Sequence, residues 1–168
     1  MNKIITVIYF LFTFTSIYSQ ENYVKLPNIK TNCPTYIINN DIISDDKIII
    51  NKRKLVTEIS VLKRKINRKK YKFFNLSENG IILIDLNDKI PFKTQAELNI
   101  FLGLPKNNEV YINGYLLEHS EYKIATISIK EIELIEPNTI NKLKTKVINV
   151  WTLTPKERAN GCSKQNVK

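Results

Sequence analysis

The chain has 168 residues, of which 43% are hydrophobic and 25% charged, and its formal net charge is +10. This balance excludes an intrinsically disordered chain, and the length allows one core or two small ones packed together. One histidine and four glycines exclude a histidine-rich metal centre and a glycine-rich phosphate cradle. Ile, Asn and Lys are used heavily, as in proteins of AT-rich genomes, so a single Lys or Asn carries little functional weight.

Met1-Asn2-Lys3 is a short positive start, Ile4 to Thr15 an unbroken apolar run, and Ser16-Ile17-Tyr18-Ser19 a small-polar exit. This is the pattern of a secretory signal peptide over 1–19, with cleavage expected after Ser19. The run is shorter than the roughly 20 residues a membrane-spanning helix needs, and nothing later in the chain is as long and apolar. The mature chain is therefore expected to be exported, periplasmic or extracellular, with no transmembrane segment. Lys3 is the one charged residue removed with the signal, which leaves a net charge of +9. Cys33 and Cys162 lie near opposite ends of the mature chain, in a setting that permits disulfides. Either they pair or both are free thiols, and their distance in the fold decides; a disulfide is the expectation.

Residues 20–34 carry Pro27 and no periodic pattern, and read as an N-terminal leader. Thr35 to Ile43 is a strand, a turn at Asn39-Asn40 and a second strand, broken by Ser44-Asp45-Asp46. From Lys47 to Lys72 two patterns compete. Leu55, Ile59, Leu62 and Ile66 have helical spacing, whereas Ile59-Ser60-Val61 is β-branched. The expectation is a strand over 57–62 followed by a helical turn. Tyr71 to Leu76 and Ile81 to Leu86 read as a strand pair around Ser77-Glu78-Asn79-Gly80, with Ile81-Ile82-Leu83-Ile84 central. Thr94-Gln95-Ala96-Glu97 is a capping box that opens a helix, with Leu98, Phe101 and Leu102 as its buried stripe and Gly103 as its stop. Val110 to Leu117 is a second hairpin around Asn113-Gly114, the strongest two-residue hairpin signal. His119 to Ile127 reads as a loop or short helix, Glu131 to Glu136 and Val147 to Leu153 as strands, and 155–168 as a polar C-terminal tail.

The chain repeats itself. Tyr36-Ile37-Ile38-Asn39-Asn40-Asp41-Ile42-Ile43 matches Val110-Tyr111-Ile112-Asn113-Gly114-Tyr115-Leu116-Leu117 without a gap. Glu58 to Leu62 then answers to Glu131 to Ile135, and Gly80 to Leu86 to Lys146 to Leu153. The organisation expected is one unit over 35–90 and a helix plus a second unit over 91–154.

The order of these pieces resembles the plug domain of TonB-dependent outer-membrane receptors. The matching residues are Val110 to Gly114, Glu131 to Glu136 and Val147 to Thr152, and in the first copy Tyr36 to Asn40, Ile59 to Lys63 and Asn79 to Ile84. The resemblance implies an α+β fold of two small plug-like β-hairpin/helix/strand units, with mixed sheet and short helices, in an envelope setting. The family's small-residue and Tyr-Gly segment is replaced here by Thr139-Ile140-Asn141-Lys142-Leu143-Lys144, and no barrel follows. Transport is therefore not implied.

No catalytic constellation can be assembled. His119 stands in the polar stretch Glu118-His119-Ser120-Glu121 and reads as an exposed loop residue; Asp45-Asp46 reads as a turn, and Glu131 and Glu133 share one solvent face of a strand. Asn75-Leu76-Ser77 fits a glycosylation sequon in an unsuitable strand setting. The chain is expected not to be an enzyme and to use no metal or cofactor. The structural residues singled out are the turns Asn39, Asn40, Asn113 and Gly114. The electrostatic feature is the run containing Lys63, Arg64, Lys65, Arg68, Lys69 and Lys70, preceded by Lys52-Arg53-Lys54. An exported protein seldom meets nucleic acid, so the expected partners are an envelope protein or, through the basic run over 52–72, anionic polymers or lipid headgroups. The function expected is that of a non-enzymatic binding or adaptor module of the bacterial cell envelope.

Overall fold

The computed structural model describes residues 24–29, 31–62 and 74–162. It is an α+β fold of two mixed sheets and short helices. The strands are β1 Thr35–Ile38, β2 Ile42–Ser44, β3 Val56–Leu62, β4 Ile81–Leu86, β5 Phe92–Thr94, β6 Val110–Ile112, β7 Tyr115–Leu116, β8 Lys123–Ala125, β9 Glu131–Ile135 and β10 Val147–Trp151. The helices are α1 Lys47–Asn51, α2 Gln95–Phe101 and α3 Pro155–Asn160. One sheet runs β3-β4-β1-β2-β8-β5 and the other β7-β6-β10-β9.

Within these sheets the order β2-β1-β4-β3 is the order β7-β6-β10-β9. In each set the hairpin strands are antiparallel, the first strand is parallel to the last, and the last is antiparallel to the third. Register agrees as well. Ile38 lies opposite Ile84 as Ile112 lies opposite Val150, and Ile59 opposite Ile84 as Ile132 opposite Val150. Strand β1 is apolar on both faces because both are covered. Ile37 points to a core shared with Val110, Ile112, Ile148, Val150 and Leu98, while Ile38 packs beneath Ile48 of α1.

Both turns use positive φ, at Asn39 (48°) and Asn40 (66°) and at Asn113 (50°) and Gly114 (86°). The first Asn of each also does something its turn chemistry does not require. The Asn113 side chain accepts from Thr152 N and donates to Thr152 Oγ1, at 2.9 and 2.8 Å. The Asn39 side chain accepts from Leu86 N and donates to Leu86 O, at 2.9 and 3.1 Å. Each amide thus continues the parallel ladder by one rung where the hairpin turns away. Asn113 is buried and Asn39 exposed. Asn113→Ala is therefore expected to cost about 2–3 kcal/mol by stranding buried groups, and Asn39→Ala about 1 kcal/mol because water replaces the lost partner. Urea denaturation of the two variants measures the difference; equal costs would contradict the clamp.

The structure departs from the sequence reading at particular places. The hairpins do not match without a gap: Ile38 pairs with Ile42 around three residues, whereas Ile112 pairs with Tyr115 around two. Asp41 is the extra residue, and its N–H closes the turn on Ile38 O at 3.2 Å. The strand expected over 57–62 is present as β3, but the helical turns precede it, at 47–51 and 53–55; the turn expected after it falls outside the described residues. Phe74–Leu76 is a 3-10 turn and not a strand, because β4 already has β3 and β1 as neighbours. Strand β8 was expected to be loop or helix. It is a strand because β2 and β5 offer it ladders on both sides. The polar tail contains α3, capped by Thr154 and Glu157 with Pro155 in the first turn. In α2 the capping box forms, Leu98 is buried and Leu102 packs against the same core, but Phe101 is 80% exposed, because the helix turns Asn99 inward, where its amide donates to Asn108 O at 2.8 Å.

Because β8 follows β7 in the chain yet lies beside β2, the two halves share a sheet as well as a core. Neither half buries its apolar surface without the other.

Candidate functional site

The N-terminal leader binds the second unit. Leu116 N donates to Val24 O at 2.9 Å and Leu26 N to Gly114 O at 2.8 Å, so the leader acts as a partial strand on the edge of β7. The buried Asn75 secures it by accepting from Val24 N and donating to Val24 O and Leu116 O. That amide is the group a glycan would need, and it is inside the protein. Further along, Cys33 is joined to Cys162 by a disulfide with a Cα–Cα distance of 5.2 Å. Gly161, at φ 78°, ends α3 and turns the chain towards that bond. Cys33 packs with Trp151 and Leu153, and Arg158 lies over the Trp151 ring at 4.4 Å.

Beside the disulfide a small cleft is lined by Tyr36, Asp45, Asp46, Lys130 and Glu157. Asp45 is buried, paired with Lys130 at 2.7 Å, and accepts from Ser128 Oγ at 3.1 Å. It is therefore more than a turn residue: it joins β2 to the segment entering β9. Burial, then the charges of Asp46, Asp45 and Glu157, push the Tyr36 phenol up to about 12. Burial and the neighbouring Asp45 also raise Asp46. Burial tends to raise Glu157, but hydrogen bonds from the Thr154 hydroxyl and N–H outweigh it and hold this carboxyl below its ordinary range. The cleft is chemically a joint between the halves.

A second depression, of about 270 Å³, lies between the leader and the loop after β9, with Leu26, Ile29, Ile135 and Ile140 among its lining. Two of its amides bond within their own loop: Asn138 Oδ1 accepts from Ile140 N and Asn141 N, and Asn141 Nδ2 donates to Glu136 O. His119 is half-buried and stands edge-on to the Tyr122 ring at 6.0 Å. Among the described residues no group of three His, Cys, Asp or Glu side chains is placed to hold a metal, and no helix is long and apolar enough to cross a membrane.

Of the residues singled out from sequence, the structure brings together Cys33 and Cys162 and places Asn39, Asn40, Asn113 and Gly114 at equivalent turns. Lys63, Arg64, Lys65, Arg68, Lys69 and Lys70, and the segment 1–19 expected to be a signal peptide, lie outside the described residues. Glu131 and Glu133 share a face of β9 and are both served by Arg158, at 2.5 and 3.8 Å.

The sheet margins differ sharply. The leader occupies the edge of β7; β5 has three residues with Lys93 at its centre; β9 carries Glu131 and Glu133 and is closed by Pro137. Each of these is a known way of blunting an edge. Strand β3 has seven residues, carries Glu58 and an irregular register at Val56/Glu58, and has no pairing partner on its outer side among the described residues; Ile59 is 47% and Val61 60% exposed. Sequence reasoning missed this, because edge position is a property of strand order and not of the strand. Compared with protein-family models, with curated proteins and with solved structures, the chain has no match.

Proposed function

We propose that the chain is an exported, non-enzymatic binding or adaptor module of a bacterial cell envelope with a plug-like scaffold. The observation that supports this best is the Cys33–Cys162 disulfide, which ties the leader to the C-terminal helix and suits an oxidising compartment. The signal-like segment 1–19 agrees with it. The two units share one apolar core. Crosslinking the native protein in its own envelope, followed by capture and identification, tests the reading. Reproducible recovery of one envelope protein, lost on competition with unlabelled chain, is the expected result. Recovery of the monomer alone would count against it.

The net charge and the run 63–70 favour a second reading, attachment to anionic polymers or lipid headgroups. Replacing Lys63, Arg64, Lys65, Arg68, Lys69 and Lys70 by Gln is expected to leave the melting temperature unchanged. The same change should abolish salt-sensitive retention on heparin or lipopolysaccharide, since attraction between a basic run and a polyanion is screened by salt. Retention that survives the substitution would remove this second reading.

A further inference from the structure

We infer that one end of the second sheet docks on an anionic lipid surface. Ile100, Phe101 and Ile140 would enter the interface, and Lys106, Lys142 and Lys144 would meet the headgroups. This goes beyond both readings above, since it needs neither a protein partner nor the run 63–70. Strands β6 and β10 are parallel and begin at this end, where the antiparallel β9 finishes. The segment entering β6 and the loop from β9 to β10 therefore lie side by side. Asn108 joins them: its side chain donates to Lys146 O at 2.7 Å and accepts from Thr145 Oγ1 at 3.3 Å. The last turn of α2 is held at the same place, because Asn99 Nδ2 donates to Asn108 O and Leu104 N to Asn99 O, both at 2.8 Å.

The two most exposed large apolar side chains among the described residues are at this end: Phe101 at 80% and Ile140 at 69%, with Ile100 at 62% beside the first. Local structure fixes them outward. Helix α2 turns Leu98 and Asn99 into the protein, which leaves residues 100 and 101 outside. The tip carrying Ile140 is closed by Asn138 Oδ1, which accepts from Ile140 N and Asn141 N, while Asn141 Oδ1 accepts from Asn138 N. Leu143 packs inward behind it. Docking therefore has little loop ordering to offset. Charge and shape decide the occupant. Lys106, Lys142 and Lys144 are exposed and form no ion pair with a described residue, whereas Lys146 is paired with Glu136 at 2.5 Å. Glu109, the other carboxylate of these two segments, accepts from Tyr111 OH at 3.4 Å. Positive charge is thus in excess around the apolar tips. A protein partner needs a continuous patch with complementary relief. Single apolar side chains on separate segments, interleaved in sequence with lysines, suit a bilayer interface, which needs no matching shape. Apolar insertion and attraction to anionic lipid together give the attachment that either alone gives weakly.

The test uses the disulfide-intact mature chain with vesicles of phosphatidylglycerol and phosphatidylcholine in equal parts, read by co-sedimentation. Binding is expected, weakened about tenfold or more by Ile100→Ser/Phe101→Ser and by Lys106→Gln/Lys142→Gln/Lys144→Gln. Every replaced side chain is exposed, so both variants should keep the native melting temperature. Vesicles of phosphatidylcholine alone should bind far less. A second readout locates the contact. Fluorescence of the Phe101→Trp variant should be quenched by brominated phosphatidylglycerol, whereas the native chain, whose single Trp151 is buried, should not be quenched. No binding, equal binding to phosphatidylcholine alone, binding that either multiple variant leaves unchanged, or no quenching in the Phe101→Trp variant would overturn the proposal. So would a lipid-independent dimer that Ile100→Ser/Phe101→Ser dissociates, since these side chains would then belong to a second copy. The adaptor reading is tested separately by the envelope crosslinking and stands or falls on that.

Discussion

Gly114→Val is expected to lose about 3–5 kcal/mol of stability, enough to unfold much of the population of a marginally stable protein. Two costs add. At φ 86° a β-branched side chain is strained by its own backbone, at about 1–3 kcal/mol. A Cβ at this position would also meet Ile29, with Cγ2 at 2.5 Å, Cγ1 at 2.6 Å and Cβ at 2.9 Å. Ile29 packs into two apolar clusters and cannot retreat without pulling the leader off β7, where Leu26 N bonds Gly114 O. Overpacking of that kind costs about another 1–3 kcal/mol. Gly103→Ala is the control: its φ is 73°, but nothing lies within 4 Å of the added carbon. It should cost only the conformational share, about 1–2 kcal/mol. Chemical denaturation of both variants gives the answer. Equal losses would mean that the leader is not seated against this turn.

Reducing the Cys33–Cys162 bond is the other large perturbation. The bond spans 129 residues, and the loop-entropy account assigns such a crosslink about 5 kcal/mol, acting on the unfolded chain. Strain and residual structure in the reduced chain commonly lower the realised value, so a loss of about 3–5 kcal/mol is expected. At roughly 2–4 °C per kcal/mol for a domain of this size, the melting temperature should fall by about 10–15 °C. Cys162→Ser should reproduce the reduced wild-type chain, because Cys162 is only half-buried. Cys33→Ser should fall further, since Cys33 is 3% exposed and packs against Trp151 and Leu153. A serine hydroxyl there is desolvated among apolar groups. A melting temperature insensitive to reductant would deny the bond any part in stability.

The two perturbations act on one design. The leader, the turn at Asn113-Gly114 and the disulfide form a continuous strap across the second sheet. Asn149 reinforces it from inside: fully buried, it accepts from Gly114 N at 2.8 Å and donates to Glu133 at 3.2 Å. Its equivalent in the first half of the chain is Leu83, which has no strap to hold. The halves share topology, and the polar residue marks where the second one carries an additional segment.

Asparagine is also where composition misled. Its abundance argued for discounting it, yet Asn75, Asn99, Asn113 and Asn149 are all buried, and three of them join segments distant in sequence. Compositional drift sets how often a residue appears and says nothing about which copies are inside. Thr154-Pro155-Lys156-Glu157 repeats the capping logic of Thr94 to Glu97, and it opens α3 as the other opens α2.

What the sequence by itself determined is what neighbours along the chain can settle. The two hairpin turns follow from Asn-Asn and Asn-Gly, the cap of α2 from Thr94 and Glu97, and the equivalence of β1 with β6 and of β4 with β10 from an apolar pattern written twice. These depend on backbone dihedrals, capping bonds and side-chain period, all set within a few residues. Only the tertiary structure decided the rest. Lys123-Ile124-Ala125 became a strand because β2 and β5 present unpaired ladders on either side of it, and Cys33 met Cys162 because the leader and α3 converge on Trp151. Phe101 faces solvent although its spacing suits a core, and β3 is the terminal strand of its sheet among the described residues. Each of these depends on which groups are left unpaired or uncovered once everything else has packed, and contacts made across the chain decide that.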